Sequence, residues 1–190
     1  MLPYPFVRLQ VQAGKGTPIL QRFKSEPATV SIGRVTFSFG HASGRRPPFK
    51  YSSFTRVGFS DTDAQGIVYY GRYLPYFDYA RVEYSRHLGV LGHELSGCEF
   101  VMRACEVVYE APARFDDLLE VFVRTKRLGR TSLTCEYAAY RVADDELMCT
   151  AEQVLVLVHP GEKRSETIPD DYREPIERFE GADLELAVTR

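Results

Sequence analysis

The sequence lacks any run of about 18 apolar residues, the length that a helix needs to cross a bilayer. It also lacks a continuous apolar segment near its N-terminus, so we expect no secretory signal. Its four cysteines show no CxxC spacing, which a zinc site or a redox pair would favour. These absences favour a cytoplasmic protein that has free thiols, no membrane span and no metal site.

Acidic residues are scarce in the first part of the chain. Residues 1–50 hold eight Lys or Arg and one acid, Glu26, whereas residues 51–190 hold sixteen bases and twenty-five acids. We therefore expect a weakly ordered basic extension over 1–50, a folded domain over 51–165 and a polar tail over 166–190 with a short helix near 173–180. Three interpretations of the extension remain open: a tail that contacts an acidic surface, an organellar transit peptide, or a segment without function.

Helical spacing is the clearest periodic signal in the chain. Between about Arg72 and Leu88 the apolar side chains form one wide stripe. Pro75 falls in the first turn, where its missing N–H has no helical partner. Gly89 follows the last turn and suits a left-handed cap. The sequence thus predicts one long helix that buries a single face.

Alternating apolar and polar residues predict strands on both sides of this helix. A first strand is expected from about Tyr51 to Ser60, and four more are expected over 99–110, 118–128, 131–142 and 147–158. The links between the later strands are short, which forces antiparallel neighbours. We predict an α+β fold in which an antiparallel five-stranded sheet wraps around one long central helix.

The segment 61–66, DTDAQG, places carboxylates in a turn shortly before the helix begins. Unpaired N–H groups at a helix N-terminus can bind a developing oxyanion. A nearby carboxylate can attack a carbonyl or activate water. An Asp in this position is also common as a plain N-cap or turn residue, so the residues alone leave both interpretations open.

The stretch 59–70, FSDTDAQGIVYY, together with 72–74 and 77–81, resembles the active-site signature of the 4-hydroxybenzoyl-CoA thioesterase family. The resemblance extends from about residue 52 to 160 and includes the closing segment 168–173. It implies a hotdog fold, in which the sheet wraps around the central helix. It also implies a homodimer or homotetramer that has its sites at a dimer interface.

This resemblance implies roles for particular residues. Asp63 matches the catalytic carboxylate, either as nucleophile or as general base, and the backbone N–H of Tyr70 matches the group that polarises the thioester carbonyl. Gly66 supports the turn between them, and Asp61 matches a structural position. Many relatives carry His or Asn next to the helix start, where this chain has Tyr69, Tyr70 and Gly71. No side chain that assists Asp63 is therefore assigned.

The loop 127–132 resembles the segment that lies near the pantetheine and phosphates of coenzyme A. Arg127 and Arg130 are candidate phosphate ligands, because arginine binds phosphate through two parallel hydrogen bonds, and Ser132 lies beside them. A solvated hairpin explains these arginines equally well. The expected substrate-binding residues are thus Gly66, Tyr69, Gly71, Arg127, Arg130 and Ser132.

The resemblance favours hydrolysis of an acyl-CoA or acyl-carrier-protein thioester without a metal or other cofactor. Hydration or dehydration of a thioester is a weaker alternative, because it normally needs a histidine and none lies in 61–74. A non-catalytic acyl-CoA sensor is the other alternative. Its basic extension would contact DNA, but residues 1–50 lack the periodicity of a recognition helix, so nucleic acid is not an expected partner.

Overall fold

The computed structural model describes residues 39–162 and 164–186. The apolar pieces that the sequence suggests as strands, at 30–32 and 35–37, lie outside these ranges, as do the roles considered for residues 1–38. Within the described ranges no helix combines the length and the apolar character that crossing a bilayer requires.

The central helix α1 runs from Tyr73 to Leu88 and continues directly from a 3-10 turn at Tyr70–Arg72. It ends where predicted: Gly89 adopts a left-handed conformation with φ 77° and donates its N–H to the carbonyl of Arg86. Phe77 and Ala80 on its inner face are fully buried. The Phe77 ring lies 4.9 Å from that of Tyr137, and burial of one such side chain contributes about 1.5–3 kcal/mol.

Within the described residues, every strand belongs to one sheet, which has the order β1-β2-β4-β5-β6-β3 with antiparallel neighbours along this path. Its six long strands are β1 Gly40–Arg46, β2 Phe49–Arg56, β3 Glu99–Tyr109, β4 Leu118–Leu128, β5 Ser132–Arg141 and β6 Glu146–His159. Two short strands, β7 Arg164–Ser165 and β8 Glu185–Leu186, pair with β6 and β4. Helix α1 packs against one face of the sheet, which confirms the predicted α+β hotdog architecture.

The sheet begins earlier than predicted, and it has six long strands rather than five. Strand β1 and the start of β2 lie before residue 51, so the predicted domain boundary is too late for the sheet. The alternation up to Ser60 also does not continue as a strand. Strand β2 stops at Arg56, and Phe59–Asp61 forms a 3-10 turn that is closed by the N–H of Gly58 on Asp61 Oδ2 at 2.9 Å.

Two arginines of the predicted extension contact acids of strand β4 and of the turn between β5 and β6. Glu120 on β4 is buried, and its carboxylate accepts hydrogen bonds from Ser52 Oγ at 2.8 Å and from Arg45 Nη1 at 2.5 Å. The guanidinium of Arg46 lies 3.4 Å from the centre of the Tyr140 ring and pairs with Asp145. The β1–β2 hairpin therefore covers the outer face of the sheet at this point.

The C-terminal part forms helix α2, Asp170–Glu180, followed by a 3-10 turn at Gly181–Asp183. The helix begins three residues before the predicted 173. Its Ile176 is 2% exposed and the preceding Ile168 is fully buried. The segment after residue 165 therefore shares the core of the sheet and is more than a polar tail.

Candidate active site

Asp63 lies in a tight loop that its own backbone closes. Its N–H donates to the carbonyl of Ile67 at 2.9 Å, and its carbonyl accepts from the N–H of Gly66 at 3.0 Å. Gly66 has φ 74°, a conformation that favours glycine. The carboxylate is half-buried, and its Oδ1 accepts from the N–H of Gln65 at 2.8 Å. Within the described residues Oδ2 has no hydrogen-bond partner, so one carboxylate oxygen is available for chemistry.

The position of Asp63 excludes the plain N-cap interpretation. The residue that precedes the helical segment is Tyr69, and neither it nor Arg72 caps the helix with a side chain. Two isolated β-bridges hold the loop in position. One joins Thr62 to Val68, and the other joins Ile67 to Arg114. Asp63 is therefore held beside the helix start without being part of it.

Asp61, the other carboxylate of the segment, is bonded on several sides. Its Oδ2 accepts from the Gly58 N–H and, at 2.7 Å, from the hydroxyl of Tyr76 in α1. Its Oδ1 lies 3.4 Å from Nε of Arg72. Burial raises the pKa of Tyr76 above its usual range, and the hydrogen bond to Asp61 raises it further. Asp61 thus ties the loop to the helix, and no free carboxylate oxygen remains for a reactant.

The N-terminus of the helical segment presents its first N–H groups beside this loop. Tyr69 donates its N–H to the carbonyl of Asp61 at 2.9 Å, and its own carbonyl accepts from the N–H of Arg72 at 2.8 Å. The N–H groups of Tyr70 and Gly71 come next, and in the first turn they have no intrahelical acceptor. They stand at the positive end of the helix dipole, where negative charge is stabilised.

Asp63 and Tyr70 line one cavity of about 450 Å³, a volume in the usual range for a small-molecule site. The remaining lining residues are Gln65, Ile67, Val68, Tyr73, Tyr109, Glu110, Ala111 and Pro112. Tyr73 is 3% exposed, and burial raises the pKa of its hydroxyl to about 12, with a smaller contribution from Cys149. The cavity therefore combines an aromatic wall, the carboxylate of Asp63 with its available oxygen, the carboxylate of Glu110, and a helix N-terminus.

Tyr69 and Tyr70 form an aromatic pair at the helix start, with ring centres 4.2 Å apart. Both rings are substantially exposed, and a side-chain hydrogen bond with Tyr70 raises the pKa of Tyr69. A Cβ atom at Gly71 would lie 3.1 Å from Cε1 of Tyr69. Glycine at this position thus lets the Tyr69 ring lie close to the backbone.

The predicted phosphate ligands lie at the other end of the sheet. The loop 127–132 follows the end of β4, whereas the Asp63 loop bridges to Arg114, before β4 begins. Strand β4 has 11 residues and spans about 35 Å. Arg127 pairs with Glu185 at 3.0 Å, and Arg130 donates to Thr167 Oγ1 at 3.3 Å. A single chain therefore does not bring Arg127, Arg130 or Ser132 to Asp63.

Sequence reasoning did not select Tyr109 and Glu110, which also line the cavity. Tyr109 is the last residue of β3, and Glu110 follows it. Alternation alone indicated only that Tyr109 lies on a strand. The feature of the sequence that could have indicated Tyr109 is its position as an aromatic residue next to a turn. Among residues 39–162 and 164–186, no three His, Cys, Asp or Glu side chains are grouped as metal ligands.

A sequence model of the thioesterase-like superfamily matches residues 57–176, which include the loop, helix α1 and strands β3 to β7. The chain belongs to this superfamily. The acyl-CoA thioester hydrolase YbgC of Escherichia coli is 34% identical over 116 residues, which cover 60% of this chain and 86% of that protein.

Solved structures agree with this assignment. A thioesterase superfamily protein of a Jannaschia species has a TM-score of 0.65 at 23% identity, covering 72% of this chain and 86% of that one. The 1,4-dihydroxy-2-naphthoyl-CoA thioesterase of Synechocystis has a TM-score of 0.60 at 18% identity, and the match covers 66% of this chain and 93% of that one. At these identities the likeness shows the fold. The superfamily match and the YbgC relatives confirm the expectation of a thioester hydrolase. The roles of individual residues stay predictions.

Proposed function

We propose that this thioesterase-superfamily protein hydrolyses an acyl-CoA thioester to the free acid and coenzyme A. The observation that carries the proposal is that Asp63 and the helix N-terminus at Tyr70 line the same cavity. The YbgC relative, which bears the name acyl-CoA thioester hydrolase, supports this substrate class. Coenzyme A enters as part of the substrate and leaves as product, and we propose that no metal or other cofactor takes part.

The proposed chemistry places the thioester carbonyl oxygen on the N–H of Tyr70. As the carbonyl carbon becomes tetrahedral, negative charge develops on that oxygen and is stabilised by the N–H and the helix dipole. The free oxygen of Asp63 either attacks the carbonyl carbon itself or activates the water that attacks it. The C–S bond then breaks, and the thiolate of coenzyme A leaves.

Two routes for Asp63 have the same overall balance. As nucleophile, Asp63 forms a C–O bond and a mixed anhydride, which water then cleaves to regenerate the carboxylate and the free acid. As general base, Asp63 takes a proton from water while the water oxygen forms the new C–O bond. In both routes the departing thiolate ends as the thiol, with one water consumed.

We further propose that the working site forms between two copies of the chain. Strand β3 is the last strand of the sheet order, and Val101, Met102, Val108 and Tyr109 on it are all at least 39% exposed. An exposed edge of this length favours pairing with another strand. Antiparallel pairing of two β3 strands would bring the loop 127–132 of a second copy to the end that carries Asp63. This arrangement would join Arg127, Arg130 and Ser132 to the site.

Light scattering checks this assembly. We expect the mass of a dimer, or of a tetramer built from two dimers. A monomer that hydrolyses thioesters at full rate would contradict the composite site. An acyl-carrier-protein substrate is the alternative, because it carries the same pantetheine thioester as acyl-CoA. Assays of the same enzyme with acyl-CoA and with acyl-carrier protein distinguish the two substrates.

Thiol release from a panel of short, long and aromatic acyl-CoAs tests the activity itself. Wild type should release thiol, and Asp63→Asn should lose at least about 100-fold in rate, in line with removal of a catalytic group. Asp170→Asn, an exposed carboxylate of α2, is the matched control and should keep the wild-type rate. Binding of acyl-CoA without thiol release would instead support the sensor alternative. The cytoplasmic location expected from the sequence stays a prediction.

A further inference from the structure

Tyr109 connects the end of β3 to the first turn of the helical segment. Its hydroxyl donates a 3.0 Å hydrogen bond to the main-chain carbonyl oxygen of Tyr70. Its ring meets that of Tyr73 edge to face, with centres 5.8 Å apart. One side chain from a distant strand thus holds the backbone at the start of the helix.

The carbonyl that Tyr109 contacts belongs to the peptide that carries the N–H of Gly71. A peptide unit is planar, so a hydrogen bond on its carbonyl also fixes the direction of its N–H. Such a bond polarises the unit as well and strengthens the N–H as a donor. Because the Gly71 N–H lies next to that of Tyr70, a residue that lines the cavity, the hydroxyl of Tyr109 acts on the first donors of the helical segment.

The neighbouring peptide has a different support. The carbonyl of Tyr69 belongs to the unit that carries the Tyr70 N–H, and it accepts from the N–H of Arg72 at 2.8 Å. Among the described residues, its carbonyl is bonded only within the local turn. The following unit, between Tyr70 and Gly71, accepts a hydrogen bond from the side chain of Tyr109. Tyr109 lines the same cavity as Asp63.

We propose that Tyr109 is a positioning residue, which orients the Tyr70–Gly71 peptide so that the first N–H groups of the helix point at the developing oxyanion. This inference rests on the proposed thioester hydrolysis. Burial raises the pKa of the Tyr109 hydroxyl from its ordinary value of 10.0, so at neutral pH the hydroxyl keeps the proton that it donates. Because charge on the carbonyl oxygen develops in the transition state, the effect falls on kcat rather than on binding.

Steady-state kinetics of Tyr109→Phe test the catalytic part. This change keeps the ring and its contact with Tyr73 and removes only the hydroxyl. We expect kcat to fall about 3- to 10-fold, which corresponds to one hydrogen bond of ordinary net strength. KM should stay within about twofold, as expected when only transition-state stabilisation is lost. An unchanged kcat, or a loss that appears only in KM, would overturn the proposal.

Tyr140→Phe is the matched control. Tyr140 lies on the outer face of β5, where its ring contacts Phe122 and the guanidinium of Arg46, away from the cavity. It should keep the wild-type kcat and KM. An equal loss of kcat in Tyr140→Phe would show that removing any such hydroxyl weakens the fold, and it would overturn the assigned role of Tyr109.

A second measurement needs no activity. In a sample with ¹⁵N-labelled glycine, assigned with a Gly71→Ala variant, the Gly71 amide resonance reports the hydrogen bond on its own peptide. We expect it to move in Tyr109→Phe and to stay in place in Tyr140→Phe, and an unmoved resonance in Tyr109→Phe would overturn the anchoring. If wild type releases no thiol, or if Asp63→Asn keeps the wild-type rate, the proposed function fails by itself and the resonance alone decides the anchoring.

Discussion

The hydroxyl of Tyr76, one turn inside α1, donates a 2.7 Å hydrogen bond to Oδ2 of Asp61, two residues before Asp63. This bond joins the central helix to the loop that carries the proposed catalytic carboxylate. The position of Asp63 relative to the helix start therefore depends on an internal contact that touches neither a reactant nor Asp63 itself.

Tyr76→Phe should separate the loop from the helix. Hydrogen bonds to charged groups are worth about 1.5–3 kcal/mol, so we expect a loss of about this size in the free energy of unfolding. We also expect a fall in kcat, because Asp63 loses its fixed position. Denaturant unfolding and thiol release measure the two effects. Full activity together with the lowered stability would show that the loop keeps its place without this bond.

Gly71→Ala should disturb the aromatic pair at the helix start. The added Cβ would approach the Tyr69 ring to 3.1 Å, so the ring must move. We expect a roughly 2- to 10-fold loss in kcat/KM, as small displacements of positioning groups typically produce. Gly44→Ala is the control, since its Cβ would meet nothing within 4 Å. Equal activity of the two variants would mean that Tyr69 does not contribute to the site.

The carboxyl of Glu180 makes the stability depend on pH. It is fully buried, where it accepts from the Tyr84 hydroxyl at 2.6 Å and from the Thr125 N–H at 3.0 Å. Burial raises its pKa from the ordinary value of 4.5. The folded state therefore holds its proton more tightly than the unfolded state does. Its contribution to stability is fully present below 4.5 and is lost as the pH rises through the folded-state pKa.

Glu180→Gln should remove this dependence. Thermal unfolding from pH 4 upward should show a smaller decline for the variant than for wild type as the pH rises. Glu174→Gln changes an exposed residue of the same helix and serves as the control. Parallel curves for wild type and Glu180→Gln would exclude Glu180 as the source.

Arg45→Ala should leave the buried carboxylate of Glu120 with less support. Glu120 is 2% exposed, and Ser52 would remain as its hydrogen-bond donor. We expect a loss of about 1–3 kcal/mol in unfolding free energy, because a buried charge then lacks its partner. Arg56→Ala breaks the exposed pair with Asp116 and should cost less than about 1 kcal/mol. Similar losses in the two variants would contradict the special role of the buried Glu120 carboxylate.

The sequence predicted the parts of the fold that local rules determine. The C-terminal end of α1 follows from Gly89, and β4 lies at the predicted residues 118–128, because glycine caps and alternation depend on neighbours in the chain. Strand β1 escaped prediction because the run of glycine, serine and arginine that forms it has little apolar periodicity. It is held by contacts with Glu120 and Asp145, which lie far away in the sequence.

The candidate site was predicted unevenly for a related reason. The segment 61–74 contains Asp63 and the helix start, so one motif located both. Tyr109 enters from a strand that joins the site only after the sheet has formed. The distance between Asp63 and the loop 127–132 could not be predicted either, since it depends on the length and direction of β4.

Strand β1 also protects the rest of the sheet. In its presence β2 is an interior strand between β1 and β4, and Phe122 on the outer face is fully buried. A chain shortened to begin at Tyr51 would lack β1 and the first two residues of β2. The rest of β2 would become an open edge with unpaired backbone groups, next to a newly uncovered aromatic ring. Open edges of this kind promote association between chains. The hairpin that supplies Arg45 and Arg46 thus also opposes aggregation, because it covers this edge of β2.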